Sequence, residues 1–388
     1  MKRTACVLVT VLILAAVLLG LQVLVQRNVA RAAEAVNGKV ETLGSGDNQT
    51  KVLYVWGTPY EMGYARGVLL RREIVDWLSR AGGLMMAGMQ VTEEQLDDDW
   101  KTMEPYVPGE YKEEIRGLAD GAGVPLAVVQ RMHAIPERSE YHCSAFGAWG
   151  PATGDGHVYQ IRALDYATEA GIQTAPCITV AKPADGHAFA NVGWVGMIGV
   201  ASGLSAEQIA VSEIGDNFGN ENERLDGEPM IFLMRDLLQR CGSLQEAIDR
   251  LQSTRRTSSY LYVVSDGKAG QSRAFQTSAT FCNVFDDTNL QPFPEWRLPG
   301  VVFWGMAFHV PEYSGPIHEI LKRDYGHINA QTGMDVMREV KTGNLHAVSF
   351  DVTGLQLWVA NAGVDMTPAY EREFLHFDLA AAMQKFPQ

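Results

Sequence analysis

One cysteine in the middle of the chain is placed where a nucleophile would be useful. Cys143 lies at the start of an apolar run, residues 143–149, and a second apolar run, residues 158–166, follows across an Asp-Gly turn. Two such runs joined by Asp-Gly predict a β-hairpin. We expect this hairpin to bring the Cys143 thiol, the Arg162 guanidinium and the Asp165 carboxylate toward the same end of a sheet.

A thiol becomes an effective nucleophile when a base or a cation favours its thiolate form. A free α-amine on Cys143 would supply that base from the same residue, because an unperturbed α-amine titrates near ~7.7–8.0. Such an amine exists only if the peptide bond before Cys143 is broken. The sequence therefore predicts that the chain cuts itself between His142 and Cys143.

The spacing of these groups also resembles a known family. Arg162 and Asp165 follow Cys143 by 19 and 22 residues. This pattern resembles the isopenicillin-N acyltransferase-like family of autoproteolytic cysteine N-terminal-nucleophile (Ntn) hydrolases and, more distantly, the bile salt hydrolases and penicillin V acylases. The resemblance implies a four-layer αββα sandwich in which Arg162 holds the thiolate and Asp165 orients the new α-amine.

Two further segments extend the resemblance over most of residues 50–380. Residues 57–67 resemble the opening of the family's pro-segment, and residues 357–362 resemble its last core strand. The oxyanion-binding residues depart from the pattern of the bile salt hydrolases. Gly215 occupies the place where that branch has an Asn, and Asn217 follows two residues later, so these two residues are the oxyanion candidates.

Composition and charge narrow the class of protein. The chain has 388 residues, of which 46% are hydrophobic and 20% charged, as in ordinary globular proteins. A net charge of −14 argues against nucleic acid or anionic lipid as a partner. The five cysteines are widely spaced and the nine histidines scattered, so no metal site and no cofactor is predicted. Nothing in the composition indicates an oligomeric state.

The first thirty residues predict export. Lys2 and Arg3 precede an apolar run, residues 5–25, which as a helix at ~1.5 Å per residue would cross a hydrocarbon core of ~30 Å. Ala30-Arg31-Ala32 also offers a small-x-small cleavage site of the kind that follows a signal peptide. The segment is therefore a single membrane anchor or a signal peptide. Both interpretations place the body in the periplasm or outside the cell.

The remaining sequence predicts an α+β organisation. Residues 1–30 are the export segment, residues 31–50 a linker, residues 51–142 a helical pro-segment and residues 143–388 the Ntn-hydrolase catalytic domain. Helices are indicated by apolar spacing, by a capping box and by amphipathic patterns over residues 69–78, 92–95, 110–122, 229–240, 244–251 and 334–340. Further hairpins are indicated at residues 185–186, 266–267 and 345–360.

The predicted function is an exported, autoproteolytic amidase or acyltransferase that cleaves a small-molecule N-acyl amide through a Cys143 thioester. Two alternatives concern its residues: a papain-like pairing of Cys143 with His309 or His346, and a purely structural ion pair between Arg162 and Asp165. A third alternative is a non-catalytic exported binding protein that keeps the fold.

Overall fold

The computed structural model describes residues 36–138, 142–216, 222–289, 294–304 and 311–387. Within these ranges the chain forms fifteen β-strands and ten α-helices. Most strands are joined by short hairpins. Five of the helices follow one another in the chain before the hairpin that contains Cys143. The predicted α+β class is confirmed.

The strands fall into two sheets, and their bounds in chain order are β1 (Gly38–Ser45), β2 (Asn48–Gly57), β3 (His142–Ala148), β4 (Tyr159–Asp165), β5 (Pro176–Pro183), β6 (Phe189–Trp194), β7 (Ser202–Ser205), β8 (Ile209–Gly215), β9 (Tyr260–Asp266), β10 (Gln271–Thr277), β11 (Cys282–Phe285), β12 (Val301–Trp304), β13 (His346–Asp351), β14 (Gln356–Asn361) and β15 (Leu375–Asp378). The larger sheet has the order β1-β2-β5-β6-β7-β8-β9-β10-β11 and the smaller sheet the order β12-β3-β4-β13-β14-β15. Neighbouring strands are antiparallel except for β2 and β5, which are parallel.

The helices flank the sheets, and their bounds are α1 (Pro59–Leu69), α2 (Arg71–Met89), α3 (Glu93–Met103), α4 (Gly109–Ala122), α5 (Leu126–Ala134), α6 (Met230–Arg240), α7 (Leu244–Ser253), α8 (Pro311–Arg323), α9 (Ala330–Val340) and α10 (Leu379–Met383). Helices α6 and α7 cover the larger sheet, whereas α9 covers the smaller sheet and α8 packs on α9. The two sheets face each other, with β3 and β4 against β8 and β9. This arrangement is the predicted four-layer αββα sandwich.

Helices α1 and α4 approach each other closely because both carry glycine on the contacting face. Gly63 and Gly67 of α1 lie against the backbone of α4, and Gly117 and Gly121 of α4 lie against the backbone of α1. A Cβ atom on Gly67 would lie only 2.5 Å from the backbone nitrogen of Ala122. Glycines four residues apart therefore let the two helical backbones make direct contact.

The boundaries predicted for the N-terminal part of the chain differ from those in the structure. The linker assigned to residues 31–50 is wrong over residues 38–50, which form β1 and the start of β2. Strand β1 is a half-exposed edge strand, so its polar composition looked like a linker. Strand β2 pairs with β5 inside the larger sheet, so residues on both sides of Cys143 build one sheet.

The local predictions agree better with the structure. Thr92 caps α3 with a reciprocal capping box, and α4 coincides with the helix expected at residues 110–122. The hairpins expected at residues 185–186, 266–267 and 345–360 are confirmed by antiparallel pairing. The apolar run at residues 5–25 lies outside the described residues. Of the helices that are described, none combines the length and the apolar character needed to span a bilayer.

Candidate active site

The register of the smaller sheet places Cys143 between the two sheets. Cys143 pairs with Leu164 across β3 and β4, and directly opposed residues project from the same face of a sheet. Arg162 is two residues from Leu164 and therefore shares that face. The side chains of Cys143 and Arg162 are both fully buried. The predicted hairpin thus brings the thiol and the guanidinium together in the interior of the sandwich.

Arg162 is held by a residue that the sequence analysis did not identify. Its Nη2 donates to Oε2 of Glu213 at 2.8 Å, and its Nε donates to the backbone oxygen of Glu213 at 3.2 Å. The alternative of an Arg162–Asp165 ion pair is therefore wrong, because Glu213 takes that place. Glu213 is a lone carboxylate in the otherwise uncharged strand β8. A charge buried in such a strand requires a partner of opposite charge, and this requirement could have identified Glu213 from the sequence.

Burial dominates the acidity of the Cys143 thiol in the uncleaved chain. It raises the pKa of the Cys143 thiol to about 12, an effect that the positive charge of Arg162 opposes and that the carboxylates of Glu213 and Asp165 reinforce. Because Glu213 offsets much of the charge of Arg162, the guanidinium alone does not produce a thiolate at neutral pH. A nearby proton acceptor is needed to activate the thiol.

Asp165 lies at the end of β4, directly opposite His142. Its Oδ1 accepts hydrogen bonds from the backbone nitrogens of Gly343 at 2.8 Å and Asn344 at 2.9 Å, and its Oδ2 accepts one from the Thr342 hydroxyl at 2.7 Å. Burial raises the pKa of Asp165, and these three donors act in the opposite direction. A carboxylate has about four acceptor positions, and donors from the described part of the chain fill three of those on Asp165.

The donors to Asp165 come from the turn that follows α9. Lys341 ends the helix in the left-handed conformation and Gly343 has a φ of 84°, which turns the chain back toward β13. The backbone nitrogens of the turn then converge on the Asp165 carboxylate. Sequence reasoning missed this turn, although a glycine shortly after a helical pattern is a usual sign of one.

A cavity of about 70 Å³ adjoins the buried Arg162–Glu213 pair. Its wall includes both of these residues together with Leu164, the cross-strand partner of Cys143. The rest of the wall is mostly apolar and comes from both sides of residue 143, including Trp77, Met85, Met132, Ile172, Trp194 and Met197. Apolar side chains with a few polar groups are typical of a site for a small organic ligand.

The N-terminal helices hold the loop that forms one side of this cavity. Arg66 of α1 donates to the backbone oxygen of Met197 at 2.8 Å. The backbone nitrogen of Ile198 donates to Nε2 of His133 in α5 at 3.0 Å. Arg235 donates to the backbone oxygen of Ile198 at 3.2 Å and is itself paired at 2.5 Å with Glu114 of α4. The predicted pro-segment therefore helps to shape the site.

A direct Cys143–His346 pair is not supported by the register. His346 is opposite Leu164 on β13, two strands from Cys143, which corresponds to about 10 Å at the usual strand spacing. Leu164 lies between the two side chains. Burial, reinforced by the charge of Arg162, lowers the pKa of His346 to about 3. The other histidine considered, His309, lies outside the described residues.

The oxyanion candidates are only partly placed. Gly215 is the last residue of β8, pairs with Tyr260 and shares a face of the strand with Glu213. Asn217 lies outside the described residues, so the assignment of an oxyanion site stays a prediction. Across the described ranges no group of three or more His, Cys, Asp or Glu side chains is arranged to hold a metal ion.

A family model matches part of the chain. Residues 152–289 match the model of acyl-coenzyme A:6-aminopenicillanic acid acyl-transferase. The matched stretch begins after Cys143 and contains Arg162, Asp165 and Glu213. The predicted resemblance to acyltransferase-like Ntn hydrolases is confirmed by this match. An amidase or acyltransferase activity in general is thereby supported.

Three individual proteins share about a quarter of their aligned residues with this chain. The chain is 27% identical over 398 residues to protein dcd1B of Dictyostelium discoideum, with 92% of this chain and 79% of the relative covered. It is 26% identical over 390 residues to dcd1A of the same organism, with 88% of each covered. An uncharacterized Archaeoglobus fulgidus protein is 26% identical over 261 residues, covering 60% of this chain and 43% of that protein.

Similar solved structures include two hydrolases. A Caenorhabditis elegans ortholog of N-acylethanolamine-hydrolyzing acid amidase has a TM-score of 0.43 and 15% identity, covering 54% of this chain and 93% of that one. A mutant of conjugated bile acid hydrolase from Clostridium perfringens has a TM-score of 0.40 and 12% identity, covering 61% of this chain and 93% of that one.

Proposed function

We propose that the protein is a self-processing cysteine amidase or acyltransferase acting on N-acyl amides. In the processing step, the Cys143 sulfur attacks the carbonyl carbon of His142. The carbon–nitrogen bond breaks, the nitrogen leaves as the α-amine of Cys143, and a thioester links His142 to the sulfur. Water hydrolyses this thioester, which leaves a carboxylate on His142 and a free thiol on Cys143.

The same residue then carries the substrate reaction. The α-amine of Cys143 accepts the thiol proton as the sulfur attacks the substrate carbonyl. The resulting ammonium returns a proton to the leaving amine, and the acyl group remains on the sulfur as a thioester. Water, or an amine in the transfer reaction, attacks the thioester and restores the thiol. Asp165, whose carboxylate accepts three hydrogen bonds from the described residues, orients the α-amine through its remaining acceptor position, and Arg162 lies beside the sulfur.

The observation that carries this proposal is the position of Cys143 at the start of β3. The thiol lies on the same face as Arg162 and next to residues of the apolar cavity, and the bond before it lies opposite Asp165. An apolar wall suits an acyl chain, and the raised pKa of the thiol calls for the local base that cleavage would create.

The N-terminal fragment should stay bound after cleavage. Strand β2 lies inside the larger sheet, Glu114 neutralises the buried Arg235, and Trp77 and Met132 form part of the cavity wall. Loss of the fragment would expose these groups and open the cavity. We also propose, from residues 1–30 alone, that the enzyme is exported and either cleaved there or anchored by residues 5–25.

Sequencing of the N-terminus in purified protein tests the function. We expect two fragments, the second beginning Cys143-Ser144-Ala145-Phe146, and hydrolysis of acyl amides by the cleaved form. Cys143→Ala should give one intact chain without activity. Cleavage of the Cys143→Ala variant at the same bond would mean that another protease cuts it. An intact wild-type chain that binds acyl amides without hydrolysing them would favour the non-catalytic binding protein instead.

A further inference from the structure

Three buried polar residues form a chain of hydrogen bonds beside the cavity. The Asn361 side-chain nitrogen donates to the Thr50 hydroxyl at 3.1 Å, and the Asn361 side-chain oxygen is 3.1 Å from Nδ1 of His346. The relative exposures are 3% for Thr50, 8% for Asn361 and 1% for His346. Thr50 is on β2, so the N-terminal segment supplies the outer end of this chain.

These bonds fix the tautomer of His346. Asn361 uses its amide nitrogen on Thr50, so its oxygen faces His346 as an acceptor. With Asn361 in this orientation Nδ1 of His346 carries the hydrogen, and in a neutral imidazole Nε2 is then an acceptor. The pKa of His346, lowered by burial to about 3, keeps the ring neutral in ordinary buffers. Within the described part of the chain Nε2 has no hydrogen-bond partner.

The residues around His346 belong to the cavity. Leu345 precedes it in the chain, Leu164 faces it across β4 and β13, and Trp194 contacts it with ring centroids 6.0 Å apart. All three line the cavity. The ring of His346 is therefore packed directly behind the cavity wall, among residues that a substrate would contact.

The unpartnered polar atoms in and behind the cavity wall are mostly hydrogen-bond acceptors. Asn191 and Glu213 line the cavity, and among the described residues their atoms Oδ1 and Oε1, like Nε2 of His346, are buried acceptors without a partner. Arg162 also lines the cavity and has one donor, Nη1, without a partner among the described residues. Burying a polar group without a partner is unfavourable, so native interiors retain such atoms mainly where water or a ligand binds.

We propose that His346 is a specificity-determining residue whose Nε2 accepts a hydrogen bond from a hydroxyl or N–H group of the substrate, with Asn361 and Thr50 holding the ring in the accepting tautomer. This inference rests on the proposed amidase function. His346 lies about two strand spacings from Cys143, so the donor is a group separate from the scissile amide. Substrates that carry such a donor are preferred over alkyl analogues of the same size.

Matched substrates test the proposal on the cleaved enzyme. The first pair consists of hexanoyl amides of 2-aminoethanol and of propylamine, which differ by a hydroxyl in place of a methyl group on the amine side. The second pair consists of propylamides of hydroxyhexanoic and heptanoic acids, which place the same difference at the end of the acyl chain. For at least one pair, wild-type enzyme prefers the hydroxylated member in kcat/KM.

His346→Phe keeps a ring but removes the acceptor. We expect it to lower the preference for the hydroxylated member by about 5- to 50-fold, as for loss of one buried hydrogen bond, while the alkyl member keeps its kcat/KM. His346→Gln, which retains an acceptor oxygen, should restore part of the preference. Thr50→Val should lower it by a smaller factor, since it removes only the outer bond of the chain.

The outcomes separate the two claims. Wild-type enzyme that hydrolyses no amide in either pair, and whose N-terminus is not Cys143, would overturn the proposed function and this inference with it. Active wild-type enzyme without a preference in either pair would overturn the inference alone, as would an equal loss on both members in His346→Phe. His376→Gln serves as the control, because that exposed histidine on β15 is bonded to Gln356 and is not part of the cavity wall. It should change neither preference.

Discussion

Arg162 and Glu213 are joined across the gap between the two sheets, one on β4 and the other on β8. Two hydrogen bonds of 2.8 and 3.2 Å link them, and neither side chain has appreciable contact with solvent. The pair therefore ties the strand after Cys143 to the opposite sheet, and within the described residues it leaves one guanidinium nitrogen, Nη1, without a hydrogen-bond partner. Arg162 thus has a structural role in addition to the chemical role that we propose for it.

Breaking this pair should destabilise the protein. In a Cys143→Ala background, which prevents cleavage, Arg162→Met leaves the Glu213 carboxylate buried alone and should cost about 3–5 kcal/mol in urea unfolding. The paired replacement Arg162→Met with Glu213→Leu should recover most of that loss, since apolar residues can fill the same space. When the same replacements are made in protein that retains Cys143, both variants should lack amidase activity. A recovery of activity in the double variant would remove Arg162 from the chemistry.

The Arg162→Met deficit should also depend on pH. Burial raises the pKa of the Glu213 carboxyl, and removal of the opposing Arg162 charge raises it further. The folded state then binds this proton more tightly than the unfolded state, so the deficit is largest above the folded pKa and shrinks as pH falls through it. Unfolding curves at pH 8 and pH 5 measure this difference. An equal deficit at both values would show that the protonation of Glu213 in the folded variant does not change between pH 8 and pH 5, which would contradict this prediction.

Substitution of Asp165 should reduce processing and activity more than expected for a residue at the end of a strand. Asp165→Asn removes the negative charge and replaces one of the two acceptor oxygens with a donor. If Asp165 orients the α-amine that acts as the base, cleavage before Cys143 and amide hydrolysis should fall by at least about 100-fold. Thr342→Val removes a single bond to the charged group and should cost about 10- to 100-fold. Gel analysis of processing over time measures both, and normal processing in Asp165→Asn would contradict its assigned role.

The glycine contact between α1 and α4 should not tolerate a methyl group. A Cβ atom on Gly117 would overlap the backbone oxygen of Tyr60, so Gly117→Ala forces the helices apart and should cost about 1–3 kcal/mol. Gly83→Ala in α2 is the matched control, because that position has open space around it. There the better helix propensity of alanine should stabilise the protein by about 0.5–1 kcal/mol. Equal melting temperatures for the two variants would contradict the close contact.

The pH profile of kcat should report the α-amine of Cys143 as the base. Activity should fall as pH decreases through the amine pKa, since the ammonium cannot accept the thiol proton. His346 and His133, with pKa values lowered by burial to about 3 and about 4, are neutral from pH 5 to pH 8 and add no inflection there. The profile of His346→Gln should therefore keep the wild-type shape. An inflection that disappears in that variant would instead make His346 the base.

Sequence reasoning succeeded where the information is local. The turn residues between apolar runs predicted four hairpins, and the first of these hairpins brings Cys143, Arg162 and Asp165 to the same end of a sheet, as expected. It failed where partners are remote: Glu213 is 51 residues from Arg162, and only the packing of the sheets reveals that they meet. Strand β1 was missed because an edge strand needs little apolar surface. The Thr50–Asn361–His346 chain joins residues from both ends of the sequence and has no local signature.

The parallel pairing of β2 with β5 changes how the protein would come apart once the bond before Cys143 is cut. The precursor unfolds and refolds as one molecule, so its midpoint should not vary with protein concentration. The cleaved protein has a sheet assembled from two separate chains, and its reassembly becomes a second-order process. Dilution would therefore slow the refolding of the cleaved enzyme but not that of the precursor. A denatured mature enzyme would recover far less readily than its precursor.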